Sequence, residues 1–544
     1  VATSGLECGR NWAKNSPAHL VSLNGQEQKL LQSGMVIWTV QFRLDTSPQI
    51  ASLLSLVHDK LMTNIVLITA DNQPPDLLGC YGNHEVYTPH INDLAKHGTT
   101  LTRFYCTNGM CSPGRASLLT GLMPSQHGVH SWLRDVDLRN WPDTWSAIQE
   151  FESLATVLQG AGYHTAMVGK HHLGQPRVPI PGFDETVTFV RGHTEDFYDN
   201  QVIDHGEEYE VNDRHIVDFF TERAVDYIEE RGDHPFFLMV NYDAPYLLPP
   251  TNLGPDFRNR FYEMFVDKKF DTFPRTAISD EMLSLIRGPD DPNRYSRHML
   301  YNLMRMHNDP ASMANVCAQI AIVDDGVGKI VSALKDKNLL EDTIVIYTAD
   351  QANLYGQHGL WGHTIQTRPS HLYDAAVRIP FIVRHPSVPT NYVSDALCSQ
   401  IDLPSTVLDM VGTTRQFDQS AGTSFKALLQ GEDHQRSEVF FEQEESRGVR
   451  TDQFSYWCRL PGAGPNVLFD HTSDPLQTRN VADLPEYSHV VEELQQKVTE
   501  FFSQYSDDKY DIWNAGQAKG SISSESFLAP LMPKGWTATT TSIN

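Results

Sequence analysis

The chain is short of cysteine, of positive charge and of long apolar runs, and each shortage closes off a class of protein. Seven cysteines in 544 residues, odd in number and irregular in spacing, do not make a disulfide framework and favour a reducing compartment. Lys and Arg total 42 against 68 Asp and Glu, a formal net charge of −26. Nucleic acid and anionic membrane both call for a basic face, so neither is expected as a partner. An anionic small molecule would need a local group of cations set against a repulsive field. No stretch reaches the length of a membrane-spanning helix, and no internal repeat is found. The expectation is an acidic globular enzyme, with oligomerisation left open.

Residues 1–61 differ in character from the rest of the chain. They show no basic segment leading an apolar core and no small-residue cleavage site, so the expected location is the cytoplasm. Met62 stands just before the first convincing strand, and 1–61 is expected to be an extension outside the core. Ile65-Val66-Leu67-Ile68-Thr69-Ala70 is a short β-rich run of the kind buried in a parallel sheet. Strand and helix then alternate, with a strand at His164 to Val168, another at Pro235 to Val240, a long helix from about Met313 to Lys337 and a strand at Thr343 to Ala349. That alternation predicts an α/β fold, a large and mostly parallel sheet flanked by helices. Residues from Leu247 to Asn308 are polar, aromatic and Pro-rich, and read as an insertion that shapes substrate choice. Short strands from Ser437 to Asp470 and a helix over Ser488 to Gln504 predict a small antiparallel sheet with a closing helix. The expected divisions are 62–430 as the catalytic α/β domain, 431–515 as a C-terminal α+β subdomain and 516–544 as a flexible tail.

Chemistry concentrates in three places. Cys111-Ser112-Pro113-Gly114-Arg115, running on to Thr120-Gly121, reads as a loop feeding a helix N-terminus, where backbone N–H groups and Arg115 favour negative charge. Such a setting would activate a Cys111 thiolate or hold an anionic ester against whatever Cys111 becomes. Asp71-Asn72 and Asp350-Gln351 each follow a predicted strand, where α/β sheets place ligands. All four offer hard oxygens, which favours Ca²⁺ or Mg²⁺ over zinc. A turn-capping aspartate explains either pair alone; the two pairs beside the Cys111 loop point to a metal. Lys170 and His172, two residues apart after a strand, share a face if the chain stays extended.

Taken together these segments closely resemble the type I, formylglycine-dependent sulfatases of the alkaline phosphatase superfamily. Cys-x-Pro-x-Arg-x-x-x-x-Thr-Gly at 111–121, Asn64 to Gly82, Gly169 to Gly174, Asp324 to Gly362 and the run near Asn466 to Asn480 match family segments in order. The resemblance implies that Cys111 is oxidised to formylglycine (3-oxoalanine) by a formylglycine-generating or sulfatase-maturing enzyme. It further implies that Asp71, Asn72, Asp350 and Gln351 hold one divalent cation beside residue 111, usually Ca²⁺, with Mg²⁺ and Mn²⁺ as alternatives. By the same resemblance Lys170 contacts sulfate oxygens, His172 faces the formylglycine hydroxyl and Arg115 holds the hydrate or bridges neighbouring carboxylates. Asn72 and Gln351 depart mildly from the family's usual pairs and imply weaker metal binding. Two further departures fall on the leaving-group side. Ala244-Pro245-Tyr246 stands where a Pro-His pair is usual, and His363 where Lys follows Gly-Leu-Trp-Gly. His363 titrates near neutrality when unperturbed and is expected to protonate the departing alcohol, with Tyr246 as the alternative donor.

The implied reaction is arylsulfatase-like hydrolysis of a sulfate monoester. Phosphonate monoester or phosphodiester hydrolysis on the same machinery is the alternative, as is a non-catalytic homologue should Cys111 stay unmodified. A zinc phosphatase is disfavoured because neither strand-end pair contains His. Protein from its native source is expected to begin at Met62, which N-terminal sequencing checks; a native product starting well upstream contradicts it.

Overall fold

Strand β1 (Asn64–Ala70) is buried along its whole length, as a strand must be when helices cover both faces of its sheet. The computed structural model describes residues 63–538 except 135–140, 178, 194–195, 233, 247–257, 276, 280–281, 284–308, 414, 416, 418 and 433–435. The expected extension over 1–61 lies outside these residues, as does most of the expected insertion at 247–308.

β1 pairs in parallel with β8 (Thr343–Ala349) on one side and β7 (Phe236–Asn241) on the other, with Ala70 level with Ala349 and Thr69 level with Asn241. β3 (His164–Gly169) continues in parallel beyond β7, Gly169 level with Asn241. These four strands form the middle of an eleven-stranded mixed sheet. The rest is β2 (Thr99–Tyr105), β4 (Glu185–Phe189), β5 (Asn200–Asp204), β6 (Glu207–Val211), β9 (Arg378–Arg384), β10 (Tyr392–Ser394) and β11 (Cys398–Ser399). The antiparallel pairs lie outside the centre, at β8–β9, β2–β9, β4–β5 and β5–β6.

Side chains alternate across β1. Val66 and Ile68 join α1 (Pro89–Lys96), α4 (Ile216–Glu230) and α5 (Pro310–Asp336) in one core. Ile65 and Leu67 join α2 (Cys111–Thr120), α3 (Leu154–Gly160) and α6 (Leu403–Met410) in the other. The strand's near-continuous apolar sequence is the record of that double burial. Helix α5 begins where Asp309 accepts from Ser312 N (3.1 Å), with Pro310 at its first position. Among the described residues no helix is long and apolar enough to cross a membrane.

A second sheet, antiparallel throughout, runs β12 (Glu438–Gln443), β13 (Ser446–Thr451), β14 (Phe454–Arg459) and β15 (Val467–Asp470). The closing helix α7 (Ser488–Gln504) turns Leu494, Val498 and Phe502 onto Val449, Tyr456 and Leu468, four residues apart along one face. The α/β sheet and this second sheet are as the sequence implied.

The expected flexible tail is not what 516–538 shows. Its Ser and Thr content suggests solvation, yet Ala518, Ile522, Leu528 and Ala538 form a small core with Leu460 and Ile512. The reason is a buried charge. Glu444, fully enclosed at the β12–β13 turn, accepts from Ser523 N (2.9 Å) and Ser524 N (2.7 Å). Lys519 reaches Glu150 (2.9 Å) and the Ala147 carbonyl (2.7 Å). A chain ended at Ala515 loses these partners, and an unpaired buried polar group costs about 1–3 kcal/mol. The truncated protein is therefore expected to melt several degrees below the full chain by differential scanning calorimetry; an unchanged melting temperature contradicts the packing.

Candidate active site

The parallel ladder does not stop at the strand ends. Tyr242 N donates to Thr69 O (2.9 Å), Asp71 N to Ala244 O (3.1 Å), Asp350 N to Ala70 O (3.2 Å) and Lys170 N to Asn241 O (2.8 Å). Those bonds carry the register into the loops, so side chains one residue past β3, β1 and β8 and two past β7 come side by side, in the order β3, β7, β1, β8. They are Lys170, Asp243, Asp71 and Asp350, none of them exposed. Gly169 makes the close approach at the Lys170 end possible. Its φ is +105°, and a Cβ there would lie 2.1 Å from Asn241 O.

Arg115 reaches this row from α2. It pairs with Asp350 (2.7 Å), lies 3.7 Å from Asp71 and donates to Lys170 O (2.9 Å). Lys170 pairs with Asp71 and, at 3.0 Å, with Asp243. Gly114 explains how the helix gets this close, because a Cβ there would sit 2.5 Å from Asp350 O. Cys111 is the first residue of α2 and 5 % exposed. The structure thus gathers Cys111, Arg115, Lys170, Asp71, Asn72, Asp350 and Gln351 at one sheet edge. Asp243 is the residue that sequence reasoning missed. Its signal was available, since it closes Val240-Asn241-Tyr242-Asp243 just past a buried strand, as Asp71 and Asp350 close theirs.

Burial and charge compete throughout. Burial pushes Asp71 up, but Lys170 and Arg115 outweigh it and hold its carboxyl below the ordinary value. Burial, with Asp71 nearby, wins at Asp350 despite Arg115 and raises it. Asp243 is likewise raised, by burial against the pull of Lys170. Lys170 is desolvated, yet Asp243 and Asp71 hold it charged well above the usual lysine range.

Two sequence expectations are corrected, at Cys111 and His363. Cys111 is not an activated thiolate. Burial pushes its thiol up to about 12, and Asp71 and Asp350 add to this against Lys170. His363 does not titrate near neutrality, because burial pulls it down to about 4, with Lys170 opposing Asp71. It is a neutral imidazole at pH 7, with no partner on Nδ1. Tyr246 is held far above the usual phenol range by burial, so it stays protonated at any working pH. Its ring lies 4.9 Å from Lys170 Nζ, and it is the partly exposed member of the group. Both residues stand by the site as hydrogen-bond donors rather than acids poised near neutrality.

His172 is tied to the start of helix α2 through Leu133. Its Nε2 bonds the Leu133 carbonyl (2.9 Å), while Leu133 N donates to Ser112 Oγ (3.0 Å) beside Cys111, and His172 Nδ1 has no partner. The positive φ of 54° at His172 breaks the extended geometry that would have put it on the Lys170 face.

The donor set fits a hard divalent cation. Gln351 Nε2 donates to Asp71 Oδ1 (2.8 Å) and Asn72 Oδ1 (2.6 Å), so two oxygens already converge on one point. Half a turn of that amide brings its own unpartnered Oε1 to the same place, as a cation between them requires, and Asp350, whose Oδ2 is paired with Arg115, adds a second carboxylate beside it. Two amides and two carboxylates make the set. Among the described residues no group of three or more His, Cys, Asp or Glu forms a metal cage, which excludes a zinc-type site there. Tyr355 OH donates to Asn72 O (3.2 Å) and fixes the first pair from behind.

Known proteins share this sequence pattern and this fold. The Sulfatase family model matches residues 63–413, and the model of the N-sulphoglucosamine sulphohydrolase C-terminal region matches 356–504. The N-acetylglucosamine-6-O-sulfatase of Bacteroides thetaiotaomicron is 24 % identical over 512 residues, covering 82 % of this chain and 88 % of that one. Among solved structures, BT4656, in complex with its substrate D-glucosamine-2-N,6-O-disulfate, aligns with a TM-score of 0.62 and 21 % identity, over 82 % of this chain and 98 % of the other. The phosphonate monoester hydrolase of Agrobacterium radiobacter aligns with a TM-score of 0.60 and 20 % identity, over 82 % and 96 %. At these identities the two structures establish the fold.

Replacing Arg115 by Met leaves Asp350 buried without its cation, which costs about 3–5 kcal/mol. Chemical denaturation of Arg115→Met is expected to show that loss, with Arg115→Lys intermediate because it lacks the fork that also reaches Lys170 O. Wild-type stability in Arg115→Met would contradict the pairing.

Proposed function

The chain belongs to the sulfatase family and hydrolyses sulfuric esters, and we propose that its substrate is a sulfate ester of a sugar, amino sugars foremost, cleaved at residue 111 beside one divalent cation. The names of its relatives support a carbohydrate alcohol rather than the aryl alcohol of an arylsulfatase. The observation that carries the reaction is the charge balance at the sheet edge. Asp71, Asp243 and Asp350 stand against Lys170 and Arg115, one formal negative charge in excess when all three carboxylates are ionised, as a bound dication favours against the burial that raises Asp243 to about 7 and Asp350 to about 6. A dication turns that to one positive, which matches a singly charged sulfate monoester and not a doubly charged phosphate monoester.

The residues that would hold the cation are Asp71, Asn72, Asp350 and Gln351. When present, the cation supplies a Lewis acid, and formylglycine at residue 111 supplies an ionisable oxygen nucleophile. Conversion of Cys111 needs a formylglycine-generating or sulfatase-maturing enzyme, and a thiol pushed up to about 12 suits a residue that does no chemistry until converted. Lys170 binds and orients the sulfuryl oxygens, and Arg115, bridging Asp350 and the Lys170 carbonyl, holds the hydrate side; both are fixed charges in a water-poor site where no reorganisation is needed as charge develops. His363 and Tyr246 each bring a proton to the ester oxygen, in bonds that strengthen as that oxygen becomes an alkoxide. His172 Nδ1, unpartnered, takes a proton from the hydroxyl of residue 111 when sulfate is released.

Mass spectrometry of the peptide carrying residue 111, with kcat/KM on aryl sulfate, phosphonate and phosphate esters of one alcohol, tests this reading. Formylglycine at 111, sulfate as the best ester and phosphate monoester as the worst are expected. An unmodified Cys111 in native protein, or a preference for phosphonate, would overturn it. His363→Ala is expected to lose about tenfold or more on an alkyl sulfate and far less on a nitrophenyl sulfate, whose oxygen needs no proton. Equal losses on both would remove His363 from the leaving-group side.

A further inference from the structure

Asp71 is overcommitted. It receives Lys170, the Gln351 amide and, at 3.7 Å, Arg115, and the cation reading adds a dication to the same carboxylate. Lys170 sits on Asp71 Oδ2 and the Gln351 amide on Oδ1; a dication that takes the place of the amide at Oδ1 repels the ammonium on the other oxygen of the same carboxylate and drives it toward Asp243. Arg115 is in no position to leave instead, being fixed to Asp350 and to Lys170 O.

Asp243 is placed to receive the displaced charge. It is fully buried, Lys170 Nζ already lies 3.0 Å from its Oδ1, and among the described residues no other donor meets either oxygen. Buried carboxylates are ordinarily satisfied by several donors, and the neighbours of Asp243 are engaged elsewhere. Tyr242 OH bonds Thr221 (2.8 Å), and Ala244 O accepts from Asp71 N (3.1 Å). That last bond ties the Asp243 segment to Asp71, so both carboxylates keep their place while the lysine head group moves between them.

We propose that Asp243 is a positioning residue which takes the Lys170 ammonium from Asp71 when Asp71 engages the divalent cation, keeping the lysine at the sulfate-binding edge. The inference rests on the metal reading above. It gives Lys170 two stations, and it makes Asp243 act on metal affinity through Lys170 rather than by touching metal or substrate.

Isothermal titration of the purified protein with Ca²⁺, and with Mg²⁺ and Mn²⁺ alongside, tests it without reference to turnover. Asp243→Asn strands the ammonium on Asp71, and Ca²⁺ binding is expected to weaken about tenfold or more, while Asp243→Glu restores most of it. Lys170→Met, with no ammonium to displace, should bind Ca²⁺ at least as tightly as wild type, and serves if Asp243→Asn does not fold. In the Lys170→Met background Asp243→Asn should then cost less than about twofold, because the pair acts as one unit. Unchanged affinity in Asp243→Asn, or the same loss in both backgrounds, would make Asp243 merely a nearby negative charge and overturn the proposal. Weaker Ca²⁺ binding in Lys170→Met would overturn it too. Wild-type protein that binds none of the three cations would defeat the metal reading itself, a result separate from failure of the Asp243 role.

Discussion

Everything at the site depends on three buried carboxylates being held together by two buried cations. Charges taken out of water are costly, and their mutual attraction returns that cost only if the geometry is good. Here the geometry comes from the backbone. Four neighbouring parallel strands end in register, and the hydrogen bonds that continue past their ends set Lys170, Asp243, Asp71 and Asp350 in a row. Helix α2 then brings Arg115 across the row and Cys111 to its edge. The sheet is the instrument that aligns the charges, and the two cores that clamp it hold that alignment rigid.

The same constraint explains why the reacting groups look inert one by one. Cys111 is a neutral thiol, His363 a neutral imidazole and Tyr246 a neutral phenol, each kept so by burial. Fixed charge at the site is confined to Asp71, Lys170 and Arg115. A site of this kind works by polarising what enters it rather than by having a group ready to titrate at neutral pH. It also selects: with all three carboxylates ionised, one surplus negative charge invites a dication, and the pair together invite a singly charged ester.

Much of this was legible in the sequence because it is local. The apolar runs of β1 and β8, each closed by an Asp followed by an amide residue, point to two adjacent strand ends, and the Cys111 signature points to a helix start. What stayed hidden is non-local. Nothing in Tyr242-Asp243-Ala244 says that Lys170, over seventy positions earlier, will be its ion partner. The shift of His363 away from neutrality depends on burial, which a motif does not encode. The segment after Ala515 has the composition of a loose tail, and partners far away in sequence, such as the buried Glu444 of the β12–β13 hairpin and the Gly128 carbonyl, give its backbone something to bind. The extended stretch expected through His172 failed for a local reason, a positive φ at that residue.

The central claim is that Asp71, Asn72, Asp350 and Gln351 surround a single divalent cation at this sheet edge. X-ray data collected at the manganese absorption edge, from crystals of the protein soaked in Mn²⁺, test it most directly. The account predicts one strong anomalous peak within bonding distance of those four side chains, with the Lys170 ammonium turned to Asp243. No peak there, or Lys170 still on Asp71 beneath a bound metal, would contradict it.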